Sequence, residues 1–358
     1  MTLHLTGPIY DAAGQFRLEA WVVDGRITYQ DPGVVAQTVS GWVLPGLVDV
    51  HCHIGLDANG PVSADIAEAQ AIANRDSGVL LARDAGVPSD TFWMNERADL
   101  PHIVRSGQHL ARPKRYIRYY AQELEDVWDL PAAVESQARR SNGWVKIVAD
   151  WIDREHGDLT PLWPEEVLIA AVRRAHDLGV RVTAHTFSHE ALPGLLAADI
   201  DGIEHACGAD EEIAQEIAQR GIPVTPTLLQ VGTFLDIADQ ADAKFPAFAA
   251  RMRRLHAQRY ETIAMLHEAG VFLPVGTDAG GTIAHGHIAQ EAAQMVRAGV
   301  PIPDVIGAAT WRGREFLRAP GLAENEPADF VTYATDPLAD ISALKRPQAV
   351  FLAGNKQV

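Results

Sequence analysis

Two histidines one residue apart, His51 and His53, close an apolar run, LPGLVDVHCHI, over residues 44–54. Side chains alternate faces along a strand, so both imidazoles project from the same face. Such a pair at a strand end suits a borderline-soft divalent cation such as zinc. Lys146, His185, His205 and Asp278 also fall in or near the ends of predicted strands. With 14 histidines in the chain, chance accounts for one or two at such positions, not for four on three strands with an aspartate on the last. Lys146 is the odd member, because an ammonium has no lone pair. A neutral, desolvated amine can add carbon dioxide, however. The carbamate so formed is an anionic oxygen ligand able to bridge two cations, as two-metal hydrolysis requires.

Eight short apolar segments must position these groups: residues 43–54, 78–86, 102–110, 144–151, 180–187, 201–208, 222–230 and 271–281. Helical patterns lie between them, clearest in EEVLIAAVRRAHDLG, EEIAQEIAQRG and RMRRLHAQRYETIAMLHEAG, each ending in the glycine that helix termini favour. Repeated strand–helix alternation predicts an α/β fold with a parallel sheet, and eight units fit a (β/α)8 TIM-type barrel. Its active site would lie at the C-terminal ends of the strands. An open doubly wound sheet is the alternative, but no glycine-rich phosphate loop accompanies it. Residues 1–43 and 322–358 read as short strands and turns, with Asp24-Gly25 as a hairpin signal. They are expected to form one discontinuous β-sandwich domain beside a barrel of residues 44–321.

Composition excludes several classes of function. With 30 basic and 47 acidic residues the formal charge is −17, so nothing neutralises a phosphate backbone. Two cysteines, Cys52 and Cys207, give no disulfide framework and read as packing residues. No signal peptide and no run of about 18 apolar residues is present, so the expectation is a cytoplasmic protein acting on a small molecule, without membrane or nucleic-acid partners. Homo-oligomerisation stays open. His-Glu-x-x-His and Gly-x-Ser-x-Gly are both absent.

The chain resembles the amidohydrolase superfamily over nearly its whole length. The resemblance rests on LPGLVDVHCHI, RDAG (Arg83, Asp84), VKIVADW, VTAHTF, GIEHACG, PVGTDAG and ADFVTYATDPLADI. The branch it most resembles contains prolidase-like metallodipeptidases and imidazolonepropionases. The resemblance implies that His51, His53 and Asp278 hold the more buried of two divalent metal ions, with zinc expected. His185 and His205 would hold the more exposed one, and N6-carboxylated Lys146 and a hydroxide would bridge both. Imidazolonepropionase resembles a one-metal arrangement, so the lysine in strand four points to the two-metal type. The implied activity is metal-dependent hydrolysis of an amide or other C–N bond, with Asp278 as the catalytic proton carrier. Alternatives are a lactone or phosphotriester hydrolase, an imidazolonepropionase-like hydrolase of cyclic amides, a deaminase and a non-catalytic scaffold. Related deaminases carry a glutamate three residues after the strand-five histidine; Ser188 stands there instead.

The segment HLARPKRYIRYYAQ after strand three clusters Arg112, Lys114, Arg115 and Arg118 with Tyr116, Tyr119 and Tyr120. It is either a solvated helix face or a grip on an anionic substrate group. The second option points to a dipeptide or N-acyl amino acid. Candidate substrate contacts are Arg118, Tyr119, Trp151 and Gln230. Arg83 and Asp84 read as a structural ion pair, and Glu204, next to His205, is expected to point away from the metal site.

Overall fold

A computed structural model describes residues 2–358. The fold is mixed α/β. Strands Leu47–Cys52, Val79–Asp84 and His102–Arg105 form one parallel sheet. Ala121–Glu123, His109–Ala111, Trp144–Val148, Arg181–Thr186, Gly202–His205 and Val224–Thr225 form a second, in that order. Nearly every residue of the ligand-bearing strands is buried, as expected for parallel strands covered on both faces.

Four of the eight predicted strands differ in detail. The third is two pieces, broken at Gly107, whose φ of +71° turns the chain. Its first piece pairs with Val79–Asp84 and its second with Trp144–Val148. The fourth, 144–151, ends at Val148, and Asp150–Asp153 pairs instead with Asp158–Pro161 in an antiparallel hairpin. The seventh shrinks to Val224–Thr225, because Pro226 cannot donate to a ladder, and residues Leu228–Gly232 turn into a helix. The eighth, 271–281, contains Pro274 and is not a regular strand. It still bonds to strand one through Val50 N to Val275 O (2.9 Å), Asp278 N to His51 O (2.7 Å) and His53 N to Ala279 O (2.7 Å). On its other side Val224 N donates to Phe272 O at 3.0 Å.

The predicted helices form where their apolar spacing recurs. Glu165–Asp177 buries Val167, Leu168, Ala171, Val172 and Ala175 on one stripe. Glu211–Arg220 starts where Asp210 accepts from Ile213 N at 3.0 Å and stops at Gly221 in the left-handed region. Pro246–Glu268 begins several residues before its sequence pattern. Among the described residues no helix is long and apolar enough to cross a membrane.

Strands from both chain ends share one eight-stranded sheet. Phe330–Tyr333 runs antiparallel to Trp42–Pro45, a strand that straddles the expected boundary at residue 43. Asp24 and Gly25 both have positive φ (48° and 80°), the two-residue hairpin geometry their sequence favours. Leu3, Leu5, Ile9, Val22, Phe330 and Phe351 pack into a core of their own. Val331 and Tyr333 join the main core, which ties the sheet to the rest of the molecule.

Candidate active site

His51 is the next-to-last residue of Leu47–Cys52, and His53 follows that strand directly. Both are buried, and the Nε2 atoms of His51 and His53 lie 3.2 and 3.0 Å from Asp278 Oδ1. Their Nδ1 atoms are engaged elsewhere: that of His51 meets Glu204 Oε2 at 2.7 Å, that of His53 the Gly86 carbonyl at 2.9 Å. Such outer partners fix the tautomer and leave the Nε2 lone pairs for a cation. The three ligand atoms lie within 4.8 Å of one another, so this trio fits a metal ion. Burial opposes the Asp278 carboxylate, yet His51 and His53 hold it well below its usual range. Burial and Lys146 push His51 down, but Asp278 and Glu204 outweigh them and raise it. Asp278 has φ +57°, and Asp49 braces the turn before it by accepting from Thr277 Oγ1 at 2.6 Å.

Lys146 is fully buried, and its Nζ has no hydrogen-bond partner among the described residues. Burial lowers its pKa to about 8, although Glu204 and Asp278 raise it. An orphaned buried amine whose pKa burial has lowered is poorly explained as a structural cation. It fits the carbamate chemistry, which starts from the neutral amine. His185 Nδ1 and His205 Nε2 face each other at 2.9 Å, and His205 Nδ1 meets Thr227 Oγ1 at 2.6 Å. Burial pushes both below the usual histidine range, so both stay neutral, as metal ligation needs.

Glu204 departs from the sequence expectation that it points away from the site. It accepts from Arg83, Thr183 and His51, all buried. Strict alternation would send His205 to the opposite face from Glu204. His205 (φ +72°) and Ala206 (φ +49°) are left-handed, so the strand end turns and both neighbours reach the site. Arg83 therefore pairs with Glu204; Asp84 instead accepts from Gly86 N at 2.9 Å and faces Arg105 at 3.7 Å.

A cavity of about 260 Å³ opens over His53, His185 and Asp278. Of the predicted substrate contacts, Trp151 and Gln230 line it. Arg118 and Tyr119 do not: both are exposed, and the Arg118 guanidinium lies over the Tyr119 ring. Arg115 turns away to hold the Asp150–Asp153/Asp158–Pro161 hairpin, donating to Asp153, the Trp151 carbonyl and Thr160. Sequence reasoning missed Phe187, Phe248 and Met252, which line the cavity from elements far apart in the chain. It also missed His109, which is buried 5.0 Å from the His53 ring with neither nitrogen bonded among the described residues. Its place at the end of predicted strand three was the available signal.

A protein of Mycobacterium tuberculosis of uncharacterized function is 50% identical over 339 residues, covering 94% of this chain and 91% of its own. A solved Xaa-Pro dipeptidase superposes with a TM-score of 0.84 at 22% identity, covering 99% of both chains. Aspergillus niger ochratoxinase superposes with a TM-score of 0.82 at 18% identity, over 99% of this chain and 95% of that one. At these identities the two structures speak for the fold. The amidohydrolase family profile matches residues 42–356, which takes in every candidate ligand, and the chain belongs to that family.

Proposed function

We propose that this protein hydrolyses an amide or related C–N bond of a small molecule, with divalent metal ions held by His51, His53, Asp278, Lys146, His185 and His205. The observation that carries the reading is the aim of two Nε2 atoms at one Asp278 oxygen, beside a cavity. In this reading the parallel strands close into a (β/α)8 barrel, supported by the bonds that residues 272–279 make to strands on both sides. Residues 1–43 and 322–358 then form the second domain. Zinc is the expected metal, and carboxylated Lys146 makes the site two-metal. Relatives of this fold include a dipeptidase and ochratoxinase, which favours amide substrates over lactones.

Held by these residues, divalent cations would supply polarisation of the scissile carbonyl and a lowered pKa for a water. The protein's own groups do the rest. Glu204 and the Gly86 carbonyl keep the two imidazoles in register. Asp278, ionised near neutral pH, accepts a proton from the attacking water and delivers it to the leaving nitrogen. Trp151, Tyr116 and Phe187 exclude bulk water. Thr282 Oγ1 donates to Gln230 Oε1 at 3.1 Å, which leaves the Gln230 amide N–H groups to orient substrate.

The test is purification with zinc and 13C-bicarbonate, followed by elemental analysis, 13C NMR and an amide and lactone screen. About two metals per chain, a carbamate resonance and amide turnover support the reading. One metal without carbamate moves the site to the one-metal type. Lactone turnover without amide turnover overturns the assignment.

A further inference from the structure

The cavity's volume, about 260 Å³, falls below the usual ~300–1,000 Å³ of ligand pockets, so it suits a compact group. Its walls are Tyr116, Tyr120, Trp151, Phe187, Phe248 and Met252, with further aliphatic residues between them. Among the described residues no lysine or arginine lines it. The basic segment after strand three would be the natural source of a cation, and its members are otherwise disposed. Arg115 is engaged by Asp153, Trp151 O and Thr160. Arg118 is exposed over Tyr119. Arg112 keeps one buried nitrogen unpartnered among the described residues, but it does not line the cavity. The Tyr120 hydroxyl is also committed, donating to the Asp57 carbonyl at 2.7 Å.

We infer that this site selects a neutral substrate, a compact amide or anilide with an aromatic or branched apolar group, and discriminates against a free carboxylate. The inference rests on the amide-hydrolase reading and names its substrate class. A carboxylate on the part of the substrate that faces these walls, away from the metal ligands, loses its hydration and finds no guanidinium or ammonium to replace it. The chain's net charge of −17 also disfavours the approach of anions. An apolar ring gains from the same walls by burying its surface and by edge and face contacts with the aromatic residues. Gln230 and Thr282 are the neutral polar pair in the lining that can fix its orientation.

The experiment compares matched neutral and anionic amides on the zinc-loaded full chain. The pairs are 4-methylacetanilide with 4-acetamidobenzoate, and N-acetylphenylalaninamide with N-acetylphenylalanine. The neutral member of each pair is expected to have a kcat/KM at least about tenfold higher. Equal or faster turnover of the acids overturns the inference and leaves the amide-hydrolase reading standing. If no amide is turned over, that reading fails, and ligand-observed NMR binding of the first pair decides the inference by itself. Binding of the neutral member alone supports it; binding of the acid, or of neither, overturns it. Ile117→Arg adds a cation at the cavity rim, where Ile117 is already 37% exposed and a long side chain should be tolerated. It should narrow the neutral-over-acid ratio by about tenfold through a charge-assisted hydrogen bond. An unchanged ratio in that variant would show that missing positive charge does not set the preference.

Discussion

Glu204→Gln separates two tasks that one buried carboxylate performs. Glu204 takes hydrogen bonds from Arg83 and Thr183 at one oxygen and meets His51 Nδ1 at the other. Glutamine keeps the shape but loses the charge and one acceptor. Arg83 would keep its bond to the Val50 carbonyl (2.6 Å) and its stacking over Trp144 (4.4 Å), yet its charge would stand buried without a counter-ion. Breaking such a pair from one side costs about 3–5 kcal/mol. At about 2 °C per kcal/mol for a large chain, the melting temperature should fall by roughly 6–10 °C. His51 would also lose the partner that orients it, so metal affinity should drop by about 10–100-fold. Scanning calorimetry and chelator competition measure the two effects separately. The double variant Arg83→Met with Glu204→Gln removes both charges, so stability should largely return while metal affinity stays low. The reasoning fails if the single variant melts and binds metal like the wild type, or if the double variant is as unstable as the single one.

Asp278→Asn should keep the fold and lower turnover by about 10²–10⁴-fold, because asparagine cannot carry the proton; activity within a few-fold of wild type would assign the base elsewhere. Lys146→Ala should lose metal and activity together, with partial rescue by acetate or propionate; a variant that keeps both metals and full activity removes the carbamate from the site. Burial lifts Glu291 to about 8, although the Leu229 and Leu228 amides it caps pull it down. Its folded pKa lies above the unfolded value of ~4.3, so the unfolded chain releases this proton first. Its contribution is fully present at acid pH and is lost as pH rises to about 8. Melting curves between pH 4.5 and 9 should therefore show Glu291→Gln gaining on the wild type across that window. A constant difference between the two proteins would refute the buried-acid assignment.

Much of this protein is legible in local sequence pattern. His51 and His53 share a face because strand alternation is a property of adjacent residues. Asp24-Gly25 specifies its turn, and Gly221 ends a helix, because each acts through its own backbone. The apolar segments that carry Lys146, His185 and His205 announce buried parallel strands by composition. Tertiary structure alone decided what those ligands lean on. Glu204 meets His51 across 153 residues of sequence, and the left-handed backbone at His205 brings His205 to the same site despite the alternation that local reasoning assumes. The basic cluster after strand three carried no local sign of its partners, so only packing could commit Arg115 to a hairpin and leave Arg118 in solvent. The cavity walls come from helices Phe234–Ala241 and Pro246–Glu268 as well as from strand ends, and their apolar faces look in sequence like ordinary core. Residue type and spacing specify which groups can bind a metal; the surface those groups confront is set by long-range contacts, which no periodicity encodes.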